Sequence, residues 1–225
     1  MHSKMNIIAI DTITPALSVS AKGPKGTATI ELEESGQHAQ SIIQIMDTAV
    51  SLAGFSAKET ELVVCPSGPG SFTGLRLAWS AAKAIQLSAG CPMRVIQALD
   101  CYARPVLHFP GLVASVLDAK KNRFYARLYR QGSPCSEPLD ISPETFSGYA
   151  DPEKQILVAG PDSREFSDKL RDFSPLLSVQ YVKTGHLGIA RELLLIADSN
   201  QLQYTEYVTE DSGPLYVRKS DAENG

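Results

Sequence analysis

The sequence predicts an α/β protein built as two lobes, each with a mixed sheet and its own helices. Three strand patterns open the chain, and the first of them, over 6–10, ends at Asp11. An apolar run over 62–65 then leads through a glycine-rich turn into an alanine-rich helix over 75–89. A second series of strands and helices begins near Gly111. Three antiparallel strands with an acid at the end of the first are the opening of an actin/hexokinase-like (ASKHA, ribonuclease H-like) fold.

Composition limits the classes of function. The 225 residues are 43% hydrophobic and 20% charged, which is enough for two cores, and we expect lobes at 1–108 and 109–225. The net charge of −4 argues against a broad non-specific nucleic-acid surface. There is no apolar run long enough to span a bilayer and no signal-peptide pattern, so we expect a cytoplasmic protein with no membrane contact. The four cysteines and four histidines lack metal-site spacing, so we expect no metal and no cofactor.

The acid at the end of the first strand has two interpretations. The second and third strands are predicted over 17–20 and 27–32, with a turn at 23–26. In enzymes of this fold the corresponding acid holds a hydrated magnesium, but a turn carboxylate also binds nearby backbone N–H groups. Ile13 stands where a phosphate loop would prefer a small polar residue, which favours the second interpretation for Asp11.

The glycine-rich turn SGPGSFTGLR, at 67–76, is either a structural tight turn or a binding turn. It is not a Walker loop, because Gly74 is followed by Leu75 and Arg76 rather than by Lys and Ser or Thr. The glycine spacing also has one residue too many for a dinucleotide fingerprint. If the turn binds a nucleotide or a phosphate, the candidate contacts are Asp11, Thr12, Gly70 and Ser71.

Two helices have more apolar surface than one face requires. In the helix over 38–53, a stripe at the 3.6-residue period leaves Ile45 and Leu52 to one side. The members of that stripe are Ala39, Ile42, Ile43, Met46, Ala49, Val50 and Ala53. In the helix over 75–89, small residues form a second face beside the apolar one. Both helices are either core helices of one lobe or core helices that also pack against a partner.

The sequence pattern in the second half of the chain predicts a hairpin followed by alternating strands and helices. The hairpin strands are predicted over 112–117 and 124–128, and the charged tip between them is a solvated turn, a second phosphate loop or a tRNA contact. The segment 131–152, rich in Pro, Ser and Gly, predicts a long loop with little regular structure. The remaining predictions are strands over 156–160 and 177–182 and helices over 163–170 and 185–198.

Four blocks of the chain resemble the TsaB (YeaZ) family of proteins that make threonylcarbamoyladenosine in tRNA. These blocks are GPGSFTGLR at 68–76, IAIDT at 8–12, DAK at 118–120 with FYA at 124–126, and PLYVR at 214–218. The resemblance implies a non-catalytic relative of TsaD that pairs with a TsaD-like catalytic subunit through the two apolar helices. It also implies a TsaE-like ATPase as partner, a homodimer when the chain is alone, and contact with tRNA only through the complex.

The resemblance also separates this chain from catalytic relatives. The segment 97–102 has no histidine where TsaD carries metal ligands, and Gly160 is followed by Pro161 and Asp162 where the enzymes have a Gly-Gly adenosine turn. We therefore expect no catalytic residue. The predicted partner interface comprises Ile45, Leu52, Leu77, Trp79, Ala81 and Ala84.

The alternative is an ATP-dependent phosphotransferase of the actin-like class, with Asp11 and Asp118 at its two phosphate loops. A peptidase activity has no support, because no arrangement of Ser, His and Asp has a recognisable context. Trp79 and Ala78 replace the Leu and Gly usual in the family, so the geometry of pairing would differ.

Overall fold

The computed structural model describes residues 5–33, 38–150, 155–199, 205–208 and 213. The strands are β1 (Ile7–Asp11), β2 (Leu17–Gly23), β3 (Gly26–Leu32), β4 (Leu62–Gly68), β5 (Met93–Gln97), β6 (Leu112–Asp118), β7 (Phe124–Arg130), β8 (Ser133–Pro134), β9 (Leu139–Ile141), β10 (Ile156–Ala159), β11 (Val179–Val182) and β12 (Thr205–Tyr207). The helices are α1 (His38–Ala53), α2 (Phe72–Ala89), α3 (Ala98–Ala103), α4 (Pro143–Phe146), α5 (Ser163–Phe173) and α6 (Ala190–Asp198). The sequence block at 214–218 lies outside the described residues.

The first unit contains a six-stranded mixed sheet in the order β12-β5-β4-β1-β2-β3. The predicted antiparallel opening is confirmed, since β2 pairs antiparallel with both β1 and β3. β4 lies parallel to β1, and β5 lies parallel to β4. Helices α1 and α2 cover one face of this sheet, where Ile10 and Val19 pack against Met46 and Ala78. The apolar stripes of the two helices thus build the core of the unit.

Two members of the predicted α1 stripe are not in the core. Ile42, Met46 and Val50 are buried as predicted, but Ala39 is exposed and the Ile43 side chain is 69% exposed. The buried stripe is therefore narrower than the sequence pattern, and Ile43 lies at its border.

The chain returns to the first unit after leaving it. The compact units comprise the described residues within Met1–Ala98 and Leu187–Tyr216, and those within Leu99–His186. The predicted lobes, 1–108 and 109–225, placed α6 in the second unit, but α6 packs against β1, β2 and β4. The Ser18 hydroxyl accepts a hydrogen bond from the Ala190 N–H at 3.2 Å. Because Ser18 alternates with core residues of β2, α6 covers the face opposite α1 and α2.

The second unit has the strand order β11-β10-β6-β7-β8, and β9 also pairs with β7. The predicted hairpin is confirmed: β6 and β7 pair antiparallel, and Asp118 lies opposite Phe124 next to the turn that joins the two strands. Its core includes the ring of Phe166, which lies edge-on to Phe124 at 5.0 Å and to Phe146 at 5.1 Å between ring centroids.

The prediction of a long irregular segment over 131–152 is wrong in part. This segment contains β8, β9 and α4, and both Ile141 and Phe146 are buried in the core of the second unit. Ser142 caps α4, because its hydroxyl accepts the Thr145 N–H at 3.2 Å. A few apolar residues are enough to fix this segment on the second unit, because Ile141 and Phe146 are both buried in its core.

The predicted helix over 185–198 begins only at Ala190. Gly185 and Gly188 have φ angles of 68° and 125°, which lie outside the range of a right-handed helix, so the chain bends before α6 begins.

Candidate functional site

Asp11 is the buried centre of the site predicted in the first unit. Its side chain is 0% exposed and accepts hydrogen bonds from the N–H groups of Ile13 and Ile189, each at 2.9 Å. The hydroxyls of Thr14 and Ser18 add hydrogen bonds at 3.1 Å and 3.4 Å. Burial raises the pKa of Asp11, and these hydrogen bonds act in the opposite direction. The carboxyl group thus binds donors of its own chain, as expected of a turn acid.

The glycine-rich turn provides space for the turn after β1. A Cβ atom on Gly70 would lie 2.7 Å from the Ile13 Cβ, and one on Gly74 would lie 2.9 Å from the Thr12 carbonyl carbon. The Thr12 hydroxyl donates to the Gly74 carbonyl at 2.6 Å. Ile13 is 6% exposed, so an apolar side chain fills the space beside the turn. These glycines permit close packing of two backbone segments.

The structure brings the four candidate phosphate contacts together but uses them internally. Asp11 and Thr12 are buried and hydrogen-bonded, and Gly70 packs against Ile13. Ser71 is exposed and caps α2, because its hydroxyl accepts the Gly74 N–H at 3.3 Å. The sequence signal that distinguishes packing from binding here is Ile13, a large apolar residue in the turn.

The outward sides of α1 and α2 form an apolar surface with few charges. Leu52 is 60% exposed, and Ala84 is also exposed. Asp47, Arg76 and Lys83 are the acidic and basic side chains of the two helices, apart from the histidine at the start of α1. The helix surface comprises the predicted residues Ile45, Leu52, Leu77, Ala81 and Ala84 together with Leu87.

The predicted members of the helix surface differ in exposure. Ile45, Leu77 and Ala81 are half-buried and also pack against the core. The prediction that Trp79 belongs to the exposed interface needs correction. Its side chain is only 6% exposed, and its Nε1 donates to the Pro66 carbonyl at 3.0 Å. An indole buried in the core with its N–H satisfied does not offer a surface to a partner.

The sequence analysis did not predict Leu87 as a member of the helix surface. Leu87 is 83% exposed. It lies three residues after Ala84, a spacing that places both side chains on the same side of α2. This three-residue spacing is the sequence signal that could have identified Leu87 as part of the surface.

Asp118, the acid of the second predicted phosphate loop, also binds its own chain. Its carboxylate accepts the Lys120 N–H at 2.8 Å and the Lys120 Nζ at 2.6 Å. Burial would raise the pKa of Asp118, but these hydrogen bonds and the charge of Lys120 together lower it. Lys120, Lys121 and Asn122 have φ angles of 64°, 56° and 58°, and they form an exposed left-handed tip. Asp11 and Asp118 belong to different compact units.

A cavity of about 480 Å³ lies in the second unit beside Pro161 and Asp162, the positions that the resemblance aligns with the adenosine turn of the enzymes. Its lining includes Pro161 and Asp162, but the other side chains are charged residues of α5 and Lys183. Two of them, Glu165 and Lys169, form an ion pair at 2.8 Å. A nucleobase site needs apolar or aromatic walls with a few polar groups, and this lining does not match that description.

The described residues contain no group of three or more His, Cys, Asp or Glu side chains that could hold a metal ion. Among the described helices, none is both long enough and apolar enough to cross a membrane.

The fold and the position of Asp11 define the class of protein. The structure has two α/β units, and the first opens with three antiparallel strands. The first of these strands ends in the buried acid Asp11, and this arrangement is that of the two-lobed actin-like (ASKHA) fold. The YeaZ structure from Pseudomonas aeruginosa has the same fold, with a TM-score of 0.75 and 21% identity over 95% of this chain and 100% of that chain.

Sequence comparisons identify the family. Residues 32–156, more than half of the chain, match the family model described as TsaD, tRNA N6-adenosine threonylcarbamoyltransferase. Two relatives carry the name tRNA threonylcarbamoyladenosine biosynthesis protein TsaB. The one from Escherichia coli is 31% identical over 130 residues, and the one from Bacillus subtilis is 25% identical over 127. Each alignment spans 56% of this chain and 56% of the relative. The chain therefore belongs to the TsaB/YeaZ family.

Proposed function

We propose that this protein is a non-catalytic subunit in the synthesis of threonylcarbamoyladenosine in tRNA. It binds and supports a TsaD-like catalytic subunit, which also works with a TsaE-like ATPase. In the absence of that subunit the chain forms a homodimer through the same helix surface, and it meets tRNA only as part of the complex. The observation that carries the proposal is the exposed apolar surface of α1 and α2. In addition, the protein's own side chains fill the predicted phosphate site.

The filled site supports a role without bond-making. An acid that binds magnesium needs oxygen atoms accessible to the hydrated ion. Both oxygens of Asp11 accept hydrogen bonds from the protein, and Ile13 occupies the space beside the glycine-rich turn. The same observations count against the alternative phosphotransferase, because neither Asp11 nor Asp118 presents an unengaged carboxylate.

The helix surface supports a role in pairing. Apolar side chains exposed together on a soluble protein mark a contact with another molecule, and the core of a protein interface is poor in charge. Leu52 and Leu87 expose 60% and 83% of their side chains, on helices with few charged residues. Both helices lie on the same face of one sheet, so a partner can contact the two together.

The test is co-purification with the TsaD-like protein of the same organism, followed by a threonylcarbamoyl-transfer assay with each protein alone and with both. We expect activity only in the mixture. The double variant Leu52→Glu/Ala84→Glu should weaken pairing at least tenfold, because it introduces unpaired charge into the interface. Its melting temperature should stay close to that of the wild type, since both positions are exposed.

The matched control is the double variant Gln155→Glu/Gln180→Glu, which adds the same two charges at exposed positions in the second unit. It should pair normally. Activity of this chain alone would overturn the non-catalytic role. Normal pairing by the double variant would overturn the assignment of the helix surface.

A further inference from the structure

The first turn of α6 has no capping side chain of its own. Ile189 occupies the N-cap position and makes no side-chain hydrogen bond to the helix. The first N–H groups of any helix lack partners within the helix, and burying them unsatisfied is costly. A helix of 9 residues is also too short to be stable by itself. Something outside α6 must therefore hold it.

Two side chains from the first sheet supply the missing acceptors. Asp11, at the end of β1, accepts the Ile189 N–H at 2.9 Å, and Ser18, on β2, accepts the Ala190 N–H at 3.2 Å. The Ser18 hydroxyl in turn donates to Asp11 at 3.4 Å. The two hydrogen bonds to the start of α6 each join residues that lie more than 170 positions apart in the chain.

Gly188 makes this contact sterically feasible. Its φ of 125° lies in the region that favours glycine. A Cβ atom at this position would overlap the Ser18 hydroxyl and lie 3.5 Å from the Asp11 carboxyl oxygen. The backbone can approach Asp11 only because residue 188 has no side chain.

We propose that Asp11, Ser18 and Gly188 form a latch that holds α6 on the first sheet at the point where the chain re-enters that unit. Asp11 is a positioning residue in this latch. The fold retains an acid at the end of β1, and in this chain the acid serves as the remote N-terminal cap of α6. The inference concerns the isolated chain and does not depend on any partner.

The latch predicts a local effect. Without it, α6 should open while β1, β2 and β4 keep their hydrogen-bonded ladders, because those strands pair with one another directly. A side-chain cap changes helix stability by a factor of roughly 2 to 30. We therefore expect amide exchange in residues 189–198 to accelerate by roughly tenfold in Asp11→Ala, and by less in Ser18→Ala, which keeps the Asp11 contact.

The experiment is hydrogen exchange by mass spectrometry on the full chain, comparing wild type, Asp11→Ala, Ser18→Ala and the control Asp118→Ala. Faster exchange at 189–198 in the first two variants, apart from any change at Ile13, whose N–H Asp11 also accepts, would support the latch if exchange at 189–198 is unchanged in the control. Unchanged exchange at 189–198 in both variants would overturn it. So would equal acceleration across β1, β2 and α6, since the residues would then serve the whole core.

If Asp11→Ala fails to fold, Ser18→Ala and Gly188→Ala decide the question. Both alter the contact and leave the Asp11 carboxyl group in place. We expect Gly188→Ala to accelerate exchange in α6, because the added Cβ separates the helix from Ser18. Wild-type exchange in both variants would overturn the latch.

Discussion

A substitution at Gly74 can distinguish between a glycine-rich turn used for packing and one used for binding. It lies in the first turn of α2, and its carbonyl accepts the Thr12 hydroxyl at 2.6 Å. An alanine Cβ would lie 2.9 Å from the Thr12 carbonyl carbon and 3.0 Å from the Ile13 Cα, and closer still to the Thr12 oxygen. These are backbone atoms, so no side-chain rotation relieves the overlap. Moving the Thr12 carbonyl carbon from 2.9 Å to the 3.4 Å of an ordinary contact already requires a shift of about 0.5 Å, and clearing the nearer Thr12 oxygen requires a larger one.

The expected cost follows from three contributions. Overpacking a tight contact costs about 1–3 kcal/mol, and losing the buried Thr12–Gly74 hydrogen bond costs about 1 kcal/mol more. Alanine regains about 1 kcal/mol from its higher helix propensity. Gly74→Ala should therefore destabilise the protein by about 1–3 kcal/mol. For a chain of this size, that corresponds to a melting temperature lower by roughly 2–12 °C.

The assay is thermal and urea unfolding of Gly74→Ala, with Gly148→Ala as the matched control. A Cβ at Gly148 would meet no atom within 4 Å, so the control should unfold like the wild type. Titration with Mg-ATP would follow for both proteins. An unchanged unfolding midpoint for Gly74→Ala, combined with loss of a measurable wild-type affinity for ATP, would refute the packing interpretation and identify a binding turn.

Two further predictions concern buried carboxyl groups. Arg127 contacts both carboxylate oxygens of Asp100 at 2.8 Å, and both side chains are largely buried; Arg127→Leu leaves a buried charge unpaired and should cost about 3–5 kcal/mol in urea unfolding. Lys169→Met, which breaks an exposed ion pair, should cost less than about 1 kcal/mol, and equal losses would contradict the prediction. Burial raises the pKa of Asp11 above its ordinary value of 3.8, so its contribution to stability is complete below that pH and is lost as the pH rises through the raised pKa. Asp11→Asn should flatten this part of the profile of unfolding free energy against pH, and parallel profiles would contradict the sign.

Local patterns predicted the elements whose signals lie close together in the sequence. The antiparallel opening strands and the β6–β7 hairpin were predicted correctly, because alternation and turn residues mark them directly. The irregular prediction over 131–152 failed because its short strands contribute single buried residues, such as Ile141, rather than a periodic run. Trp79 was misplaced for a similar reason. Helical spacing assigns a face, but it does not reveal the Pro66 carbonyl that holds the indole in the core.

The sequence by itself determined the fold class, the family and the presence of surplus apolar surface on two helices, since these properties depend on short motifs and on local periodicity. Only the tertiary structure decided the use of Asp11. Its partners include Ile189, more than 170 positions away, and no local pattern connects β1 with the start of α6. The same applies to the glycine-rich turn, where the space left by Gly74 is filled by the backbone at Thr12. A binding loop and a packing loop need the same small residues, so only the atoms that lie opposite them distinguish the two.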